Sequence, residues 1–223
     1  MRPELRILIL FASLICVPPV QSSIVAGQLD DFQDGTTQNW MHGGGGAPAV
    51  VNVGTGGPAG AGDSFLRATS NTSGPGPRLT TFNLAQWTGD YIGQGITTIE
   101  MDLENLGFST LSVRLAFRPF NGPSSTPGYL SSAFTLAPGQ WQHATFSIAM
   151  NDLISIGGPS DYGIFFGNVG ELRIINEAGA SNLTGDLVTA QLGIDNIHAV
   201  PEPNIGALLC LAGLSLILRR SRR

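Results

Sequence analysis

The 223-residue chain contains no lysine, and its two cysteines, Cys16 and Cys210, both lie in apolar segments near the ends. The body between them therefore has to fold without a disulfide. Charge is scarce, at 12% of residues, and of one dominant sign: between Gly27 and Val200 five arginines face fourteen acidic residues. Such a surface repels phosphates, which excludes nucleic acid and anionic membrane as partners of the body. No repeat of about 20 to 50 residues is visible. His42, His143 and His198 lack metal-pair spacing, and no serine sits in a Gly-x-Ser-x-Gly elbow. The stretch "GTGGPAG" fits a dinucleotide-loop spacing, but a strand follows it where a phosphate loop needs a helix N-terminus.

The two ends are distinct from the body. "MRPELRILILFASLICVPPVQSSIVAGQ" begins with Arg2 and Arg6, runs apolar from Ile7 to Val17 and turns to small residues, the pattern of a secretory signal peptide over residues 1–26. Cleavage after Ser22 and cleavage after Ala26 both fit. At the other end Ile205 to Leu218 is an apolar run that as a helix spans about 21 Å, short of the roughly 30 Å hydrocarbon core. Arg219, Arg220, Arg222 and Arg223 follow it, and the positive-inside rule puts them in the cytoplasm, with the body outside.

Twenty-eight of the thirty glycines and nine of the fourteen prolines punctuate the body, residues 27–200. Between them recur short runs of alternating polarity, while helical periodicity is missing. The clearest is "ITTIEMDLENLGFSTLSVRLAF", where Ile99, Met101 and Leu103 face one way and Glu100, Asp102 and Glu104 the other. A hairpin centred on Gly107 would oppose Leu103 to Leu111, Met101 to Val113 and Glu100 to Arg114. Further strands are expected at 49–53, 64–69, 77–82, 129–136, 142–148, 162–166, 171–176 and 187–199, with a helical turn near Asn151. The fold class is all-β: one antiparallel two-sheet sandwich, jelly-roll-like.

Four aspartates, Asp31, Asp34, Asp63 and Asp195, converge if the first and last strands pair, giving a hard cation such as calcium part of the six to eight oxygens it needs. Alternatively, Asp34 and Gly35 form a turn while Asp195 and Asn196 bond to backbone at a strand kink. Glu100, Asp102 and Glu104 stand about 6.6 Å apart along a strand, a glycosidase-like spacing. Catalysis also needs a cleft and a carboxyl with a raised pKa, neither of which the sequence shows, so a solvated face partly paired with Arg114 and Arg118 is the preferred account of them. Among the aromatic residues Trp87 and Tyr91, in the non-alternating "AQWTGDYIG", are the candidates for stacking on a sugar. Trp141, just before a strand, is expected to pack.

Val200, Pro201, Glu202 and Pro203, then the apolar run, then the arginines, resemble the PEP-CTERM sorting signal. That resemblance implies an exosortase-type membrane protease-transpeptidase as partner. Pro201, Glu202 and Pro203 would be the processing site, and Arg219 and Arg220 the stop on the inner side. Transient inner-membrane anchoring would precede release to the outer surface or extracellular matrix. The body, through "LDDFQDGTTQNW", "GDSFLRAT", "GQWQHATFSI" and "LGIDNIHAV", is similar to galactose-binding-like and carbohydrate-binding-module jelly rolls. In those the first and last strands lie side by side and acidic residues near each end hold a structural calcium. The sequence thus predicts an exported, non-catalytic surface or matrix protein associated with extracellular polysaccharide. The alternatives are a dedicated carbohydrate-binding module and a polysaccharide-active hydrolase.

Overall fold

The structure is a computed structural model that describes residues 23–43, 48–72, 76–120, 127–179 and 181–202. In chain order its first strands are β1 (Leu29–Asp30), β2 (Trp40–His42), β3 (Val51–Val53), β4 (Phe65–Ser70), β5 (Thr80–Asn83), β6 (Ile96–Asn105) and β7 (Leu111–Arg118). They are followed by β8 (Gly128–Leu130), β9 (Phe134–Leu136), β10 (Gln142–Ser147), β11 (Ile154–Ile156), the helix α1 (Tyr162–Phe166), β12 (Glu171–Asn176) and β13 (Ala190–Pro201). A single 3-10 turn, Met150–Asp152, forms where the sequence suggested one.

The strands make two antiparallel sheets. Sheet A runs β10-β6-β13-β4-β3, with β1 added on β13, and sheet B runs β11-β8-β7-β12-β5-β2, with β9 on β7. The first and last strands pair, Leu29 opposite His198 and Asp30 opposite Ile197. The alternation read from sequence does its work here. Ile99, Met101 and Leu103 of β6 and Leu192 and Ile194 of β13 enter the same buried core as Val113, Leu115 and Phe117 of β7 and Leu172 and Ile174 of β12. Each such side chain, fully buried, contributes about 1.5–3 kcal/mol.

Two expectations are corrected. β6 and β7 do not pair: β6 lies between β10 and β13 in sheet A, and β7 pairs with β12, β8 and β9 in sheet B. The connection crosses from one sheet to the other, so the two apolar faces meet across the core instead of lying side by side. Arg114 consequently pairs with Glu177, while Glu100 lies opposite Thr145 and His198. The second correction concerns residues 162–166, which form α1 and not a strand. Asp161 caps it, accepting from the Gly163 N–H at 2.9 Å, and Phe165 and Phe166 turn into the core.

Candidate functional site

β13 carries a bulge between Asp195 and His198, where Asn196 takes a left-handed φ of 51°. On either side of it Asp195 stands opposite Asp102 and His198 opposite Glu100. Asp195 is fully buried. One carboxylate oxygen, Oδ1, accepts from the Asn196 N–H at 2.8 Å, and the other, Oδ2, has no partner. Burial pushes this carboxyl up to about 7, the Asn196 N–H opposes the shift, and the negative charges of Asp63, Asp102 and Asp31 add to it.

The loops that carry Asp31 and Asp63 are joined by Gln33. Its Nε2 donates to Asp63 Oδ1 at 2.8 Å, to the Asp31 carbonyl at 3.1 Å and to the Ser64 carbonyl at 3.2 Å. Three oxygens thus surround one partly positive amide hydrogen donor, next to a buried carboxylate with an orphaned oxygen. Hard oxygen donors suit calcium, and these supply part of the six to eight that it takes. Asp195, Asp63 and the carbonyls of Asp31 and Ser64 would hold the ion. Asp34 does not belong with them: it is exposed, and its Oδ1 accepts from the Thr36 N–H and hydroxyl at 2.8 and 2.9 Å, closing a local turn over Gly35. Among the described residues no three acidic, His or Cys side chains are arranged to hold a metal ion by themselves, so carbonyl oxygens are an essential part of any such shell.

Beside this cluster lies the outer face of sheet A. His143 on β10 holds Asp102 Oδ1 at 3.0 Å through Nδ1, and its Nε2 stands 3.8 Å from Glu100 Oε2. Asn196 Nδ2 donates to the other Asp102 oxygen at 2.9 Å. The acidic row is therefore tied to His143 and Asn196. Arg114 and Arg118, its expected partners, are on the other sheet, where Arg118 meets Glu171 at 2.7 Å and Arg173 meets the same carboxylate at 2.7 Å.

Trp87 and Tyr91 are core residues, each 0% exposed, and present no face to a sugar. The Trp87 indole N–H donates to Asp30 Oδ2 at 2.6 Å, and the Tyr91 hydroxyl donates to the Trp87 carbonyl at 2.9 Å. Tyr91 also packs edge-on to Phe117 and Phe166, and burial drives its phenol well above the ordinary range. A loop segment without alternation reads as exposed, yet this one folds inward because its polar atoms find partners. The buried Asp30 that organises it was not singled out from the sequence. Its only signal was adjacency to Asp31. Trp141 packs as expected, edge-on to Phe65 and over Gly193, where a β-carbon would come within 3.0 Å of the indole.

The tail is described only as far as Glu202. Pro201 closes β13 opposite Ile96, and the Glu202 N–H donates to the Gly95 carbonyl at 2.9 Å. Pro203, the apolar segment 205–218, Arg219 and Arg220 lie outside the described residues, as does the leader up to residue 22.

No known family model and no well-characterised protein matches the sequence. Among solved structures the chain is similar to part of an exo-β-agarase, with a TM-score of 0.55 and 11% identity over 80% of this chain and 25% of that one. It spans about a quarter of the agarase's length, and the likeness is one of fold. It is also similar to the family 11 carbohydrate-binding module of Clostridium thermocellum, solved with a β-1,3-1,4-mixed-linked tetrasaccharide (TM-score 0.48, 16% identity, 79% and 96% covered). A third likeness is to the CBM22-1 xylan-binding domain of Paenibacillus barcinonensis Xyn10C (TM-score 0.45, 13% identity, 80% and 99% covered).

Proposed function

We propose that this chain is an exported, non-catalytic carbohydrate-binding sandwich, braced by calcium and sorted to the cell surface or matrix through its C-terminal segment. The observation that carries the reading is the fold: two antiparallel sheets with paired first and last strands, similar to a segment of an exo-β-agarase. The arrangement of the acids argues against hydrolysis. Asp102 is bonded on both oxygens, to His143 and Asn196, and Asp195, whose carboxyl burial pushes up to about 7, is fully buried. Calcium at Asp195 and Asp63, with the Asp31 and Ser64 carbonyls, would supply the missing partner of Asp195 Oδ2 and fix the loops over sheet A.

The sorting part rests on the PEP-CTERM-like tail. Because Pro201 and Glu202 are held against β6 and Gly95, an exosortase-type protease would act beyond Glu202. The experiment for the binding part is incubation of the full chain with insoluble neutral polysaccharide. The expected result is depletion of protein from solution with no new reducing ends. Reproducible cleavage that is lost in Glu100→Gln or Asp102→Asn would replace the binding reading with the hydrolase reading.

A further inference from the structure

Phe108 is 100% exposed at the tip of the turn between β6 and β7. A side chain so placed adds nothing to the core, yet the turn beneath it is tightly pinned. Asn105, almost fully buried, accepts from the Gly107 N–H at 3.0 Å and donates to the Ser109 and Leu136 carbonyls at 2.8 and 3.1 Å. The Leu106 N–H donates to the Gln191 carbonyl at 3.0 Å, joining the turn to β13. Gly107 sits against this junction: a β-carbon there would lie 3.3 Å from Asn105 Oδ1 and 3.8 Å from the Ala190 Cα.

The turn forms one wall of a groove of about 670 Å³ at this end of sheet A, within the roughly 300–1,000 Å³ of small-ligand sites. Its polar groups are hydroxyls and amides: Thr69, Asn71, Ser109, Thr189 and Gln191 accompany Phe108, and no lining residue is charged. On the far wall the Thr189 hydroxyl is fixed by Thr72, which meets it from both its N–H at 3.2 Å and its own hydroxyl at 2.9 Å. In a chain of net charge −5, an uncharged groove of this kind selects for a neutral ligand that offers hydroxyls along its edge and an apolar face to an aromatic ring. A pyranose has both, its axial C–H bonds forming the apolar face.

We infer that this groove is the saccharide site, taking a neutral pyranose chain with one ring stacked on Phe108 and its hydroxyls bonded by Thr69, Thr189 and Gln191. The inference rests on the carbohydrate-binding reading and locates it. Because the turn and the Thr72–Thr189 pair are already fixed, little order has to be gained on binding.

The test is calorimetric titration of the full chain with cellohexaose, mannohexaose and an agaro-oligosaccharide, with oligogalacturonate as the acidic comparison. The expected result is binding of at least one neutral probe. Phe108→Ala should weaken it about tenfold or more with an unchanged melting temperature, Phe108→Trp should preserve it, and Gln191→Ala, on β13, should weaken the same titration. Binding that is equally tight in Phe108→Ala and Gln191→Ala would overturn this site while leaving the carbohydrate-binding reading intact. Failure to bind any neutral probe, or preference for oligogalacturonate, would overturn both.

Discussion

Trp87 and Trp40 donate their indole N–H groups to the same atom, Asp30 Oδ2, at 2.6 and 2.8 Å, and Gln86 adds a third bond at 3.1 Å. Both indoles and the carboxylate are buried, so this one oxygen satisfies two donors that water cannot reach. Asp30→Ala leaves both indoles unpaired, and each unsatisfied buried donor costs about 1–3 kcal/mol. The expected loss of unfolding free energy is therefore about 3 kcal/mol or more, read by urea denaturation followed through tryptophan fluorescence. A loss below about 1 kcal/mol would mean that the indoles find other acceptors.

The fold class was legible because strand burial leaves a period of two in the chain, and β6 and β10 display it over most of their length and β7 over its first half. The partner of each strand was not. Ile99 to Leu103 and Leu111 to Phe117 have the same apolar alternation whether they lie side by side or across a core, and only the packing distinguishes the two. Tyr162–Phe166 is rich in aromatic residues, a strand-like composition, and the Asp161 cap that makes it a helix is a single local bond. At the candidate metal site Asp63 and Asp195 were visible as residue types. The role of backbone carbonyls and of Gln33 was not, because carbonyls are common to every residue and gain meaning only from loop geometry.

Calcium should act through Asp195. With the ion present, Asp195→Asn removes a ligand charge and lowers the melting temperature relative to the wild type. With chelator present, the same substitution removes a buried carboxylate with an unpaired oxygen, and the variant should equal or exceed the wild type. A difference between the two proteins that is the same with calcium and with chelator would dispose of the metal site.

Glu177 gives a pH signature elsewhere in the fold. It is fully buried against Arg114, 2.9 Å from its Nε, and burial raises its carboxyl above the ordinary range, with the Arg114 charge opposing the shift and Asp186 reinforcing it. A raised acid binds its proton more tightly folded than unfolded, so its contribution is complete at low pH and is lost as pH rises through the folded value. Melting curves at pH 4 and pH 7 should accordingly show Glu177→Gln gaining on the wild type as pH rises. A variant that loses ground over that interval would show the Arg114 attraction to outweigh burial.

Under the proposed export and sorting, the fold distinguishes the two leader cleavage positions. Ile24 is 1% exposed, and its N–H donates to the Thr88 carbonyl at 2.7 Å, so removal of the leader through Ala26 would take a core residue with it. Leader cleavage after Ser22 keeps that residue. Intact-mass measurement of the exported protein should find Ser23 at its start and no residue from Ile205 to Arg223 at its end. A start at Gly27 would contradict the first expectation, and a retained "LILRRSRR" terminus would end the sorting proposal.

Carbohydrate binding without hydrolysis is measured most directly by native affinity electrophoresis of the full chain, with calcium present, through gels holding soluble neutral polysaccharides such as a mixed-linkage β-glucan or a mannan. Retardation in at least one neutral gel, relieved by Phe108→Ala and accompanied by no shortening of the polysaccharide, is the expected result. Unretarded migration in every neutral gel, or retardation with shortening of the polymer, would contradict it.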